Sequence, residues 1–280
     1  MKSIKNILSI SAIVLANVYF TSCEPEKKID TEVKTVEVEK PAVPVLEYSI
    51  IATLPHDTLA YTQGLLIHDN KLFESTGSPE NMPELKSVLG IVDMKTGKLD
   101  AKVELDKKVY PFGEGMVILN GKIYQITYKE QTGFIYDVKT FKKIGQFNYA
   151  NKEGWGLTTD GKNVIMSDGT NYLTYFDEEM KVVKTLAVNE NGYAVDALNE
   201  MEYIKGFIYA NIYTTGYVVK IDPKTGNVIA KINFTPVYYN VRNMNTYAQE
   251  MNGIAYDSIA DKIYVTGKLW PYMYEVKFPH

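Results

Sequence analysis

The side chains able to do chemistry in this chain are few, and they recur at one kind of position. Tyr61-Thr62-Gln63, Phe112-Gly113-Glu114 and Glu153-Gly154-Trp155 each stand directly before an apolar run, and Asn199 and Asn252 hold the matching place before two more. Tyr128, Tyr213 and Lys268 close three of the hairpins that these runs begin. Brought together, they would give one carboxyl (Glu114), two amides (Gln63, Asn199) and one ammonium (Lys268) inside walls of Tyr61, Phe112, Tyr128, Trp155 and Tyr213. An apolar enclosure with a few convergent polar groups is the usual make-up of a site for a small molecule or a peptide end.

Other chemistries find little support. Cys23 is the only cysteine, which excludes an intrachain disulfide and a cysteine metal cluster. His56, His68 and His280 are far apart in sequence, so no histidine-built metal site and no cofactor is expected. No Gly-x-Ser-x-Gly elbow, phosphate loop or His-Glu-x-x-His is present. Asp93 and Asp222 belong to Asp-x-Lys-Thr-Gly turns without EF-hand spacing. Glu74-Ser75-Thr76 reads as strand end or turn, Asp168-Gly169-Thr170 as a turn, and His68-Asp69 as an exposed hairpin tip. A formal charge of −4 argues against a nucleic-acid partner.

The elements that must position these residues are hairpins. The run Tyr110–Tyr128 holds an Asn120-Gly121 pair between two apolar stretches, the strongest short hairpin signal. An antiparallel hairpin sets the start of its first strand beside the end of its second, so Glu114 and Tyr128 fall at one sheet edge. The pattern occurs five times, with Gly64, Gly115, Gly156, Glu200 and Gly253 spaced 51, 41, 44 and 53 residues apart. Each hairpin is followed by a second one. Four short strands per repeat is the signature of a propeller blade. The expected fold is all-β: a five-bladed β-propeller whose ring is closed by an N-terminal strand, Tyr48–Leu54, completing a last blade that runs out after three strands. No long stretch after residue 46 keeps a helical period.

The first strand of each propeller blade lines the central channel, so the starts of those strands and the ends of the strands beside them converge on one face. Residues there often serve packing, and Gln or Asn at a strand start often satisfies turn backbone. A purely structural role would repeat one residue. This chain instead places Gln63, Glu114, Trp155, Asn199 and Asn252 in succession, which favours a site.

The chain start has a different character. Residues 1–22 combine Lys2 and Lys5 with an apolar run from Ile7 to Val18, an export-signal pattern too short to span a bilayer. Phe20-Thr21-Ser22-Cys23 resembles a bacterial lipobox, which predicts lipidation of Cys23 and membrane anchoring on the periplasmic side or the cell surface. Residues 23–45 read as a flexible tether and residues 46–280 as the propeller domain, expected to be a monomer.

Several motifs carry a family resemblance. Tyr61-Thr-Gln-Gly-Leu, Phe73-Glu-Ser-Thr-Gly, Phe112-Gly-Glu-Gly, Glu153-Gly-Trp-Gly-Leu-Thr, Leu198-Asn-Glu-Met-Glu-Tyr, Asn252-Gly-Ile-Ala-Tyr and Thr266-Gly-Lys-Leu-Trp-Pro, in that order, resemble the plant-type glutaminyl cyclases (glutamine cyclotransferases). The resemblance covers roughly residues 48–278. It implies a five-bladed propeller that converts the N-terminal glutamine of peptides to pyroglutamate with release of ammonia. It implies Glu114 as the catalytic carboxylate, with Gln63, Asn199 and Lys268 as polar site residues. It further implies Phe112 and Trp155 in the aromatic box, with Tyr61 where the family usually has phenylalanine and Tyr128 and Tyr213 where it often has tryptophan. The loop Ser78–Lys86 departs from the family's usual Ser-Ser-Leu-Arg-like run, which leaves substrate preference open. Enclosure of Glu114 should raise its pKa, and Lys268 should oppose this if it lies close. Two alternatives stand beside this reading: a non-catalytic, lipid-anchored propeller binding peptides or another small ligand at the same pocket, and a propeller hydrolase or lactonase, which usually needs a metal cluster.

Overall fold

The computed structural model describes residues 42–280, so the signal-like segment, Cys23 and most of the tether lie outside the described residues. Five antiparallel sheets, each built on four strands consecutive around a ring, form the propeller. Blade one is Thr62–His68, Lys71–Thr76, Val88–Val92 and Leu99–Glu104, and blade two is Gly113–Leu119, Lys122–Thr127, Thr132–Asp137 and Lys143–Asn148. Blade three is Leu157–Thr159, Val164–Ser167, Tyr172–Phe176 and Val182–Ala187. Blade four is Leu198–Ile204, Phe207–Ile212, Tyr217–Ile221 and Val228–Asn233. Blade five takes Met251–Asp257, Lys262–Gly267 and Tyr272–Lys277 from the chain end and its outer strand, Ser49–Pro55, from the chain start. That closing strand runs antiparallel with Leu54 opposite Met273, so the ring ends in a paired strand and not in two free edges.

Local chemistry sets the turns. Asn120 and Gly121 sit at φ 49° and 77°, the left-handed pair that a two-residue hairpin loop needs, with Leu119 opposite Lys122. Between blades, apolar faces meet. Leu66 and Phe73 of blade one pack with Met116, Ile118 and Ile123 of blade two, and Val117 and Tyr124 of blade two with Leu157, Val164 and Met166 of blade three.

Two features depart from the sequence reading. The ordered chain meets the propeller before Leu46: Val45–Leu46 pairs in parallel with Lys231 and Ile232, the Pro44 carbonyl accepts from the Lys231 N–H, and Val43 packs on the core between blades three and four. Residues 43–45, read from sequence as the end of the tether, therefore pack on the propeller. A helix, Thr235–Met244, also links blades four and five. Pro236 stands in its first turn, where a missing N–H costs nothing, and only Val237 and Val241, one turn apart, are buried. Two buried positions are too few to register as a helical period.

The inner strands share an irregularity. Register shifts fall between Thr62 and Gly64, Gly113 and Met116, Leu198 and Met201, and Met251 and Ile254. Each shift spans one of the residues singled out by the repeats: Gln63, Glu114, Asn199 or Asn252. A bulge bends its strand and re-aims a side chain. In three of these blades the bulged residue, Gln63, Glu114 or Asn199, lines the pocket.

Candidate active site

All nine residues expected in the pocket line a single cavity of about 180 Å³, joined by Pro79. Every blade contributes. Blade one brings Tyr61 and Gln63, blade two Phe112, Glu114 and Tyr128, blade three Trp155, blade four Asn199 and Tyr213, and blade five Lys268.

Glu114 is 4% exposed. Its Oε1 accepts from Gln63 Nε2 at 3.1 Å, and its Oε2 is buried with no partner. Burial drives its pKa well above the ordinary carboxylate range; nearby Lys268 opposes this, and Glu153 and Glu130 add to it. Gln63 lines the pocket, but both ends of its amide are engaged. Its Oε1 accepts from Asn252 Nδ2 at 2.9 Å, and that same nitrogen donates to the Thr62 carbonyl. Asn252 is fully buried outside the pocket. The chain Asn252 to Gln63 to Glu114 thus fixes one carboxyl oxygen and leaves the other free.

Asn199 Oδ1 is likewise buried and unpartnered. The Lys268 ammonium is in no ion pair among the described residues and lies 5.0 Å from the Tyr61 ring centre and 4.7 Å from that of Tyr213. Burial lowers its pKa, while Glu114 and Glu250 pull it back up. A buried carboxyl oxygen, a buried amide oxygen and a buried ammonium therefore share one small cavity without satisfying one another. Such groups are costly unless something else completes them.

The aromatic walls support one another. Tyr61 meets Phe112 edge-on with centroids 5.9 Å apart, Phe112 meets Tyr128 at 5.7 Å, and Trp155 meets Tyr213 at 5.3 Å. Trp155 Nε1 donates to Glu153 Oε2 at 2.9 Å, and the Tyr61 hydroxyl donates to Gln249 Oε1 at 2.9 Å. Two glycines make room for rings. A Cβ on Gly77 would fall 2.2 Å from Phe112, and one on Gly169 2.5 Å from Trp155. Gly77 and Gly169 hold the repeat position that carries Tyr128, Tyr213 and Lys268 elsewhere. Where that position has no side chain, an aromatic from the next blade or from the same blade fills the space.

A profile described as glutamine cyclotransferase matches residues 13–278. The chain belongs to the glutamine cyclotransferase family. The chain is 38% identical over 234 residues to a glutaminyl-peptide cyclotransferase of Arabidopsis thaliana, covering 82% of this chain and 71% of that protein. Its fold superposes on the crystal structure of Myxococcus xanthus glutaminyl cyclase with a TM-score of 0.75 at 30% identity, covering 85% of this chain and 98% of the other.

Residue types and repeat spacing pick out the lining of the pocket but not its supports. The Ser75 hydroxyl donates to the Glu114 carbonyl at 2.6 Å, and the Ser167 hydroxyl to the Asn199 carbonyl at 2.8 Å. Ser75 is the next-to-last residue of the second strand of blade one and Ser167 the last of that of blade three; the two hold matching repeat positions, and that match is the available signal. Glu74, read from sequence as strand end or turn, is fully buried. Its Oε1 accepts from the Thr62 hydroxyl at 2.7 Å and lies 3.1 Å from His56 Nε2, while His56 Nδ1 donates to the Trp270 carbonyl. This cluster ties the closing strand to blades one and five beside Gln63. Asp168 does form a turn, accepting from the N–H and hydroxyl of Thr170, and His68 and Asp69 are partly to fully exposed at their hairpin tip. Among the described residues no group of three or more His, Cys, Asp or Glu is placed to hold a metal.

Proposed function

We propose that the pocket around Glu114 carries out the cyclisation and that Glu114 is its proton carrier. The chain is a glutaminyl-peptide cyclotransferase: the α-amine of an N-terminal glutamine attacks its own side-chain amide carbon, a C–N bond to the ring forms, and the bond to the leaving nitrogen breaks to give pyroglutamate and ammonia. The nucleophile is already tethered, so the pocket need only hold it in attack geometry. The observation that carries the assignment is the unpartnered, buried Oε2 of Glu114, a residue that lines the cavity and whose Oε1 is held by Gln63.

A substrate arrives with a protonated α-amine, since free α-amines titrate near about 8. Glu114 accepts that proton and frees the amine. An ordinary glutamate, with a pKa of about 4.3, would hold it weakly; burial makes it a better match. After attack, Glu114 passes the proton to the departing nitrogen, takes the surplus proton from the new ring nitrogen and gives it up to the released ammonia, which leaves as ammonium and restores the carboxylate. One carboxyl thus serves every transfer. The free Oδ1 of Asn199 accepts from a substrate N–H, and Lys268 donates to the amide oxygen as it gains negative charge. Gln63 acts through Glu114, since its Nε2 already donates to that carboxylate and its Oε1 accepts from Asn252. Tyr61, Phe112, Tyr128, Trp155 and Tyr213 enclose the substrate and exclude water.

Ammonia release from a glutamine-initiated dipeptide amide, with the product mass recorded, tests this reading. Wild type should lose one ammonia per peptide and Glu114→Gln none. Peptide binding without ammonia release in wild type would instead support the non-catalytic propeller.

We further propose that the enzyme is lipid-anchored outside the cytoplasm, a reading supported by Lys2, Lys5, the apolar run to Val18 and the lipobox-like Phe20–Cys23. No helix among the described residues is long and apolar enough to cross a membrane. Labelled palmitate should enter the wild-type chain expressed in bacteria and be absent from Cys23→Ser; equal labelling of the two rejects the anchor.

A further inference from the structure

A second groove opens on the pocket face, between the loop that follows the second strand of blade one and the loops of blade five. It encloses about 350 Å³ against Leu59, Met82, Glu84, Leu85, Tyr247 and Leu269. Leu59 and Tyr247 flank it with 65% and 76% of their surface exposed. Single exposed apolar residues are ordinary on a protein surface; two such residues bordering an apolar concavity beside a catalytic pocket are a candidate interaction site.

The groove and the pocket share a wall. Tyr61, Leu85 and Leu269 form one buried cluster, with Met82 and Phe112 packed against it. Tyr61 and Phe112 face the pocket, and Met82, Leu85 and Leu269 face the groove. Gln249 braces this wall, accepting from the Tyr61 hydroxyl and setting its Nε2 3.9 Å from the Met82 sulfur. The rim beyond Tyr128 differs: Lys129 lies over the Tyr128 ring at 4.5 Å and 4.0 Å from Glu153, both partly exposed to solvent. An apolar chain leaving the pocket would find charge there and apolar surface across Tyr61.

Given the cyclase reading on which this rests, the α-amine and side-chain amide of the substrate glutamine lie in the pocket, and its carbonyl continues into a peptide that must cross the rim. We infer that the groove takes an apolar side chain from the residues directly following the N-terminal glutamine, so that Leu59, Met82 and Tyr247 set which peptides are cyclised fastest. The Glu84 carboxylate at its edge disfavours an acidic residue in the same place.

Initial rates for Gln-Ala-Ala-amide, Gln-Leu-Ala-amide, Gln-Ala-Leu-amide and Gln-Asp-Ala-amide test this in wild type and in Leu59→Ser/Tyr247→Ser. Wild type should favour leucine over alanine in kcat/KM at one of the two positions by roughly five- to tenfold, the low end of discrimination by an apolar pocket. The difference should lie in KM, and in the double variant the leucine-to-alanine ratio should fall toward one. Equal rates for the leucine and alanine peptides in wild type, or an unchanged ratio in the variant, overturn the inference while leaving the cyclase reading intact. A concentration-dependent dimer lost in the variant with its ratio unchanged would assign the patch to self-association and also overturn it. No turnover of any glutamine peptide would remove the cyclase reading and this inference with it.

Discussion

Glu114 and Glu200 are two buried carboxyls in two inner strands, each within a strand-start bulge, and each is driven well above the ordinary carboxylate range by burial. Their hydrogen bonds separate them. Both oxygens of Glu200 accept from backbone, Oε1 from Leu65 at 3.2 Å and Oε2 from Ile254 at 2.8 Å. Leu65 and Ile254 belong to the inner strands of blades one and five, so Glu200 joins three blades. Glu114 has one oxygen held and one free, facing a cavity. A perturbed carboxyl alone does not mark a reactive group; structural networks shift pKa values as well. An unpartnered oxygen in a residue that lines the cavity separates Glu114 from Glu200; Glu74 Oε2 is also buried without a partner, but Glu74 does not line the pocket.

The largest effect expected from this contrast is at Glu114. Glu114→Gln keeps the shape and the contact with Gln63 but cannot carry a proton. Turnover should fall at least 10²- to 10⁴-fold, the usual worth of general acid–base catalysis, with the thermal midpoint nearly unchanged. Substantial retained turnover would remove Glu114 from the mechanism.

Glu200→Ala should do the reverse. It leaves the Leu65 and Ile254 N–H groups buried without acceptors, each at a cost of about 1–3 kcal/mol. Denaturant unfolding should show that loss, with turnover per folded molecule within a fewfold of wild type. A variant as stable as wild type would mean that Glu200 does not hold the blades. The sign of the pH dependence follows from the same carboxyls. Glu202, accepting from the Tyr256 N–H at 3.0 Å, is raised by burial to about 8. Above the ordinary glutamate range the unfolded chain has lost this proton and the folded chain still holds it. Stability should therefore fall as pH rises from about 5 to about 8. Glu202→Gln should flatten the slope of thermal midpoint against pH; an unchanged slope would place its origin elsewhere.

The same contrast explains what could be read from sequence. The turn signals and repeat spacing are local, so the five blades, the left-handed Asn120-Gly121 turn and the closing strand at Ser49–Pro55 were all legible. So was the pocket lining, because propeller geometry sends the strand-start and strand-end repeat positions of the blades toward the same cavity. Partnerships between distant blades were not. Glu200 lies 135 residues from Leu65, and Asn252 lies 189 from Gln63. Both stand at repeat positions already noticed, but nothing local says which backbone or amide they will meet. His56 and Glu74 come together only when the chain start is drawn in as the closing strand.

Asn252 provides the smallest and most discriminating test. It does not line the pocket, and it reaches the pocket residues through Gln63 Oε1 and the neighbouring Thr62 carbonyl. Asn252→Ala frees Gln63 Oε1 and, with it, the orientation of the Nε2 that donates to Glu114. One neutral hydrogen bond is worth about 1 kcal/mol, so kcat should fall roughly five- to tenfold. Lost stability alone could mimic that drop, but the pH profile could not. The Gln63 donor favours the ionised form of Glu114, so loosening it should raise the Glu114 pKa further. Turnover needs Glu114 ionised to receive the amine proton, and the acid limb of kcat/KM should therefore move to higher pH. Gln63→Ala should move the limb the same way, and adding Asn252→Ala to it should cause little further change, because both act along one chain of hydrogen bonds. Additive effects of the two substitutions, or an acid limb that stays in place, would reduce Asn252 to a packing residue and leave Glu114 to be oriented by its own strand.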